Sequence, residues 1–132
     1  MSLRKKLLAF TPVHRTVQEV LADTALARLG DAYTNFIYSL YLSIQKGSPT
    51  GKKTGGAILS EALKQVGLKS ATPSRMDRHG LADAAESLIV YVWLTGLMTI
   101  GESVELMVKH KDSSDAFGAR LSRAKERVES CL

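Results

Sequence analysis

The chain has 132 residues, of which 45% are hydrophobic and 23% are charged, and its formal net charge is +5 at pH 7. This length suits one domain and this composition is ordinary for a globular protein, so we expect neither disorder nor a second domain. The single cysteine, Cys131, cannot form an internal disulfide, and the longest apolar stretch, at 87–100, is shorter than the roughly 20 residues that span a bilayer. We therefore expect one soluble, cytoplasmic domain over residues 1–132, without a membrane segment.

The charge is unevenly distributed along the chain. Residues 46–78 carry seven lysines and arginines against two acids, whereas residues 79–108 carry four acids and no lysine or arginine. Basic loops around an acidic helical centre are typical of an enzyme that attracts a polyanion and holds a divalent cation. The alternative is that these charges only decorate solvated faces.

Hydrophobic periodicity predicts helices and no strand. A short segment at 3–9 precedes helices at about 14–22 and 23–46, and the second of these ends at Lys46, just before GSPTG. Further helices are predicted at 57–68, ending at Gly67, and, largely buried, at 80–98, with a break near Gly101. A surface helix is expected from about Ser114, where serine can cap it. The predicted fold class is all-α.

The helix predicted at 23–46 carries Gly30 and Asp31 in the middle of the apolar run LARLGDAYTNFIYSLYL. Glycine inside a helix is disfavoured by roughly 1 kcal/mol relative to alanine, and a carboxylate beside a buried face needs a partner. We expect Gly30 to allow the backbone of a second helix to come close. Asp31 then becomes a candidate for binding a cation.

Two more acids lie in the run ADAAESLIVYVWL. Asp83 and Glu86 are three residues apart, which places both on one face of a helix, about one turn from each other. Two anions at that distance repel each other unless a cation lies between them, and oxygen ligands on rigid helices suit Mg²⁺ or Mn²⁺. The alternative is a set of surface acids.

The run GSPTGKKTGG is similar to a phosphate loop but has only three residues between Gly47 and Gly51, where that loop needs four, and a helix precedes it. We interpret it as a flexible basic connector that offers backbone amides and Lys52 or Lys53 to phosphates. Three histidines lack the paired spacing of a metal site: His14, His79 and His110. Three serines lie on apolar helices without an evident catalytic base: Ser39, Ser43 and Ser87.

Two motifs, in order, resemble the ribonuclease III family. LARLGDAYTNFIYSLYL is similar to its signature helix, roughly E-x-L-E-F-L-G-D-A, often with an asparagine four residues after the aspartate, as Asn35 is here. GLADAAESLIVYVWL is similar to its second motif, about G-D-x-F-E-A-L-I-x-A-x-Y. The separation of about 50 residues and the basic loop between them also fit, so the resemblance covers roughly residues 20–98. It is closest to the short archaeal group without a double-stranded RNA-binding domain.

The resemblance implies a helical endonuclease domain that forms a homodimer through its signature helices and cleaves double-stranded RNA with Mg²⁺ or Mn²⁺. It implies that the catalytic and metal-binding residues are Asp31, Asp83 and Glu86. The same reading assigns contacts with phosphates and 2′-hydroxyls across the RNA minor groove to Lys52, Lys53, Arg75 and Arg78.

The chain departs from the family pattern where a fourth carboxylate is expected, because that glutamate falls on Ala27. The earlier motif glutamate falls on Thr24, and the phenylalanine of the family's dimer contact falls on Arg28. Three acids should bind Mg²⁺ less tightly than four, and Asp23 and Asp77 are the nearest candidates to compensate. Two alternatives stay open: a degenerate relative that binds structured RNA or a ribonucleoprotein without cutting it, and a helical interaction module whose acids only face solvent.

Overall fold

The computed structural model describes residues 6–73 and 75–131. These residues form six α-helices and no β-strand, so the all-α prediction is confirmed. The helices are α1 (Val17–Leu21), α2 (Thr24–Lys46), α3 (Gly56–Gln65), α4 (Arg78–Leu94), α5 (Ile100–Met107) and α6 (Ser113–Ser130), and a 3-10 turn at Lys69–Ala71 follows α3. The first part of the segment predicted at 3–9 lies outside the described residues.

Aspartates set the start of three helices. Asp23 before α2, Asp77 before α4 and Asp112 before α6 each accept a hydrogen bond from the backbone amide three residues later, at 3.0, 2.8 and 3.0 Å. Such a carboxylate satisfies a free amide and lies at the positive end of the helix dipole. The cap expected from serine near Ser114 is therefore provided by Asp112 instead.

Glycines in the left-handed conformation follow the ends of α3 and α4. The buried helix α4 ends at Leu94 and not at 98, because Thr95 donates its hydroxyl to a carbonyl one turn back, at 2.8 Å, and Gly96 has a φ of 78°. Helix α3 ends at Gln65, and Gly67, which the sequence predicts as its stop, has a φ of 75°. Gly101, where a break was expected, instead lies in the first turn of α5.

Helix α4 is the centre of the domain. Twelve of its 17 residues are buried, and α1, α2, α3 and α6 all pack against it. A helix that is apolar on nearly every side has to be surrounded in this way. In the described part of the chain, no helix combines the length and the apolarity needed to cross a membrane.

Helices α2 and α4 come into backbone contact at Gly30. A Cβ atom built on Gly30 would lie 2.3 Å from the carbonyl oxygen of Glu86 and 2.6 Å from its carbonyl carbon. No side chain fits in that space, so the expectation of a close helix approach at Gly30 is confirmed. The contact brings Glu86 next to Asp31, the residue that follows Gly30.

A fully buried arginine joins three helices behind this contact. Arg120 of α6 donates from Nε to the Ser103 hydroxyl of α5 at 2.7 Å and from Nη2 to the Ile89 carbonyl oxygen of α4 at 2.9 Å. Burial lowers the pKa of Arg120 to about 10. Because Ile89 follows Glu86 by one helical turn, these bonds help to hold the acidic part of α4 in place.

Candidate active site

Three acidic side chains from two helices line one cavity. Asp31 comes from α2, and Asp83 and Glu86 come from α4. The cavity has a volume of about 750 Å³, and its wall is completed by Thr24, Ala25, Ala27 and Arg28. The acids that the two motifs singled out are therefore neighbours in space. Their catalytic role is a separate question and stays a prediction.

Glu86 differs from the other two acids in its burial. Its exposed fraction is 7%, whereas Asp31 and Asp83 are exposed. Burial raises the pKa of Glu86 from 4.5 to about 8, and a hydrogen bond to Asp31 and the charges of Asp31 and Asp83 act in the same direction. At neutral pH the Glu86 carboxyl group therefore mostly carries a proton, which it donates to the carboxylate of Asp31.

This chemistry fits a hard divalent cation. Carboxylate oxygens on rigid helices are the donors that Mg²⁺ prefers, and a cation can replace a proton held between two acids. Within residues 6–73 and 75–131, however, no three His, Cys, Asp or Glu side chains have the arrangement of a complete metal site. A Mg²⁺ ion at this cavity would need water molecules to complete its coordination, as it usually does in proteins.

An apolar residue occupies the position where the family pattern has a fourth carboxylate. Ala27 lies on the cavity wall and is 5% exposed. Neither of the two acids that were expected to compensate for Ala27 lines the cavity. Asp77 caps α4, and Asp23 caps α2 and bonds to Nε2 of His14 at 2.8 Å. Partial burial raises the pKa of Asp23, but the hydrogen bonds from the Leu26 amide and from His14 lower it. The pKa of Asp23 therefore lies below its usual value.

One basic side chain shares the cavity with the acids. Arg28 is exposed on α2 and forms part of the lining, at the position where the family pattern has the phenylalanine of its dimer contact. A guanidinium group binds phosphate oxygens through two parallel hydrogen bonds. Arg28 therefore adds donors for phosphate oxygens to a cavity that is otherwise acidic.

The four residues expected to bind RNA lie outside the cavity lining. All are exposed: Lys52 and Lys53 follow α2, Arg78 begins α4, and Arg75 lies beside Lys69 in a second depression. Arg75 has a φ of 66°, in the left-handed region. These positions suit contacts along a long polyanion more than contacts at the acids themselves.

The segment 50–54 is not the flexible connector that we expected. Every second residue of it bonds through its backbone to a side chain of α2: Thr54 to Asn35, Lys52 to Ser39 and Thr50 to Ser43. We call Asn35, Ser39 and Ser43 the polar row of α2. A polar residue at every fourth position of an otherwise apolar helix is a signal present in the sequence, but its meaning was missed.

The fold and the cavity define an all-helical domain with a carboxylate-lined site. A family model described as Ribonuclease III matches residues 24–132, which include α2 to α6 and all three acids, and the chain belongs to the ribonuclease III family. No curated protein matches the chain. Membership in this family supports an enzyme of the nuclease type.

Proposed function

We propose that this domain hydrolyses phosphodiester bonds of double-stranded RNA with Mg²⁺ or Mn²⁺. The observation that carries the proposal is the meeting of Asp31, Asp83 and Glu86 around one cavity in a chain of the ribonuclease III family. Asp31, Asp83 and Glu86 would hold the cation, which would lower the pKa of an attacking water and stabilise the charge on the phosphate and on the leaving 3′ oxygen.

The three acids have different tasks in this proposal. Asp31 and Asp83 are exposed and offer oxygen atoms at the open side of the cavity. Glu86 is buried and would give up its proton when a cation binds. Because the pKa of Glu86 is about 8, protons compete with the cation, and binding weakens as the pH falls below that value.

Basic residues supply the contacts with RNA. Arg28 in the cavity wall is suited to the phosphate that is cleaved. The exposed side chains of Lys52, Lys53, Arg75 and Arg78 are suited to phosphates and 2′-hydroxyls along the minor groove, where A-form shape is recognised more than sequence.

The test is cleavage of an end-labelled RNA duplex by the purified protein. We expect products with Mg²⁺ or Mn²⁺ and none with EDTA, and we expect Asp83→Asn to reduce the cleavage rate by about 100-fold or more, as loss of a metal ligand does. Asp115→Asn is the matched control, because Asp115 is an exposed acid in the first turn of α6 and does not line the cavity. No cleavage by the wild type, or full cleavage by Asp83→Asn, would contradict the proposal.

A second candidate is a member of the family that binds structured RNA without cutting it. The observation in its favour is Ala27, which leaves the cavity with three acids where the family pattern has four. It predicts equal affinity for an RNA duplex with and without EDTA, and no product at high protein concentration. Salt-dependent binding accompanies both candidates and separates them from an interaction module that binds no RNA.

We also infer a homodimer through α2. Leu29 and Phe36 are 40% and 54% exposed, and they lie seven residues apart, so they share the outer face of the helix. Exposed apolar groups at this spacing are typical of a helix that pairs with another helix. A cytoplasmic location is part of the same proposal.

A further inference from the structure

We propose that Asn35 is a positioning residue that joins the segment 50–54 to Asp31, so that binding of RNA phosphates and binding of the cation depend on each other. The inference rests on the proposed function and adds a route of coupling within the same site. It is based on hydrogen bonds that join α2 to the segment 50–54 and, within α2, join Asn35 to Asp31 of the cavity.

Both ends of the Asn35 amide are in use. Its Nδ2 group donates to Oδ1 of Asp31, one turn earlier on α2, at 3.4 Å, and its Oδ1 atom accepts a hydrogen bond from the Thr54 amide at 2.8 Å. Only one orientation of the amide satisfies both partners, because the flipped group would direct its NH₂ at an N–H donor. The same planar amide therefore contacts both Asp31 and Thr54, and the contact with Asp31 is the longer of the two.

The rest of the polar row fixes the same segment along α2. The Ser39 hydroxyl bonds to the amide of Lys52 at 2.9 Å and to its carbonyl at 3.1 Å. Ser43 makes the corresponding pair with Thr50, at 3.0 and 3.1 Å. Four residues of a helix rise about 6 Å along its axis, and two residues of an extended chain rise about 6.6 Å. The spacing of the segment therefore matches the spacing of the polar row over three contacts.

This arrangement fixes the backbone of Lys52 against α2, the helix that also carries Asp31. Lys52 and Lys53 line a depression of about 400 Å³ together with Gly51, Asn35 and Phe36. A backbone that is already ordered loses less entropy when its side chains bind phosphate. Movement of the segment is transmitted to Thr54, from Thr54 to Asn35, and from Asn35 to the carboxylate of Asp31.

Reciprocity follows from this connection. If RNA contact at Lys52 and Lys53 holds Asn35 in place, the cation binds more tightly at Asp31, and the cation must strengthen RNA binding by the same factor. Removing a side chain that orients a ligand commonly reduces metal affinity 10- to 100-fold, so we expect at least about a tenfold effect for Asn35→Ala.

Two substitutions on the same row separate positioning from simple loosening of the segment. Asn35→Ala removes the contacts with both Asp31 and Thr54, whereas Ser39→Ala removes only the contacts with Lys52. With an RNA duplex as substrate, we expect Ser39→Ala to raise KM and leave kcat unchanged. We expect Asn35→Ala to raise KM, to lower kcat about tenfold and to raise the Mg²⁺ concentration for half-maximal rate. Gln18→Ala is the matched control, because Gln18 is an exposed residue of α1 that lines neither the acidic cavity nor the depression at Lys52 and Lys53.

Hydrogen exchange of the Thr54 amide provides a measurement without RNA. In the wild type we expect slow exchange that becomes slower with Mg²⁺, and in Asn35→Ala fast exchange that Mg²⁺ does not change. Equal effects of Asn35→Ala and Ser39→Ala on kcat and on the Mg²⁺ requirement would overturn the proposal, as would Thr54 exchange that ignores Mg²⁺ in the wild type. If the wild type cleaves no duplex, the proposed nuclease function fails, and the exchange experiment alone decides the coupling between Asp31 and Thr54.

Discussion

Replacing Glu86 by glutamine gives a sharp test of the acidic cavity. The side chain is 7% exposed, and burial, the hydrogen bond to Asp31 and the charges of Asp31 and Asp83 raise its pKa from 4.5 to about 8. Glutamine keeps the shape of the protonated acid and can donate the same hydrogen bond to Asp31, but it cannot ionise. The substitution therefore removes the titration and leaves the packing nearly unchanged.

The size of the effect follows from the two pKa values. Between pH 4.5 and about 8 the folded protein keeps a proton that the unfolded chain has lost, so the free energy of unfolding falls as the pH rises through this window. The fall is about 1.4 kcal/mol per pH unit and roughly 5 kcal/mol in total. Below pH 4.5 the contribution is fully present, and above pH 8 it is lost. The glutamine variant should match the wild type near pH 4.5 and exceed its stability by several kcal/mol at pH 9.

Urea denaturation in EDTA, followed by circular dichroism at both pH values, measures this difference. Glu61→Gln is the control, because Glu61 is exposed on α3 and its replacement should change stability by no more than about 0.5 kcal/mol at either pH. Mg²⁺ should stabilise the wild type at pH 9 more than the variant, since it binds the ionised cavity. A difference between variant and wild type that is the same at pH 4.5 and pH 9 would refute the reasoning.

Three further predictions concern the same region. Gly30→Ala should lower the free energy of unfolding, measured in urea, by about 1 to 3 kcal/mol, because the new Cβ would lie 2.3 Å from the Glu86 carbonyl oxygen. Gly101→Ala is the control, since the nearest atom to its Cβ would be 3.9 Å away. Equal stability of the two variants would contradict the close contact at Gly30. Ala27→Glu should increase Mg²⁺ affinity about tenfold in calorimetric titration and increase cleavage, and unchanged affinity would show that a fourth acid has no place in this cavity. Phe36→Asp should shift the protein to monomers in light scattering, and a variant that stays dimeric would exclude this face of α2 as the interface.

Local patterns in the sequence were enough to predict most of the helices. Apolar spacing and the glycine after Lys46 act within one turn of the chain, and the predicted bounds of 23–46 agree with Thr24–Lys46. The boundary between α4 and α5 was missed. The apolar run at 87–100 continues past the end of α4, although Gly96, with its φ of 78°, is a stop signal of the same kind as Gly47.

The acids of the candidate site were also recognisable in the sequence, since three-residue spacing places Asp83 and Glu86 on one face of any helix. What the tertiary structure decided is how that face meets α2. The register between the two helices depends on the backbone contact at Gly30, and this contact places Glu86 against Asp31 and raises its pKa to about 8. The attachment of residues 50–54 to the polar row of α2 was decided in the same way. Spacing along one helix fixes directions around its own axis, whereas the distance between groups on different segments is set by packing through space.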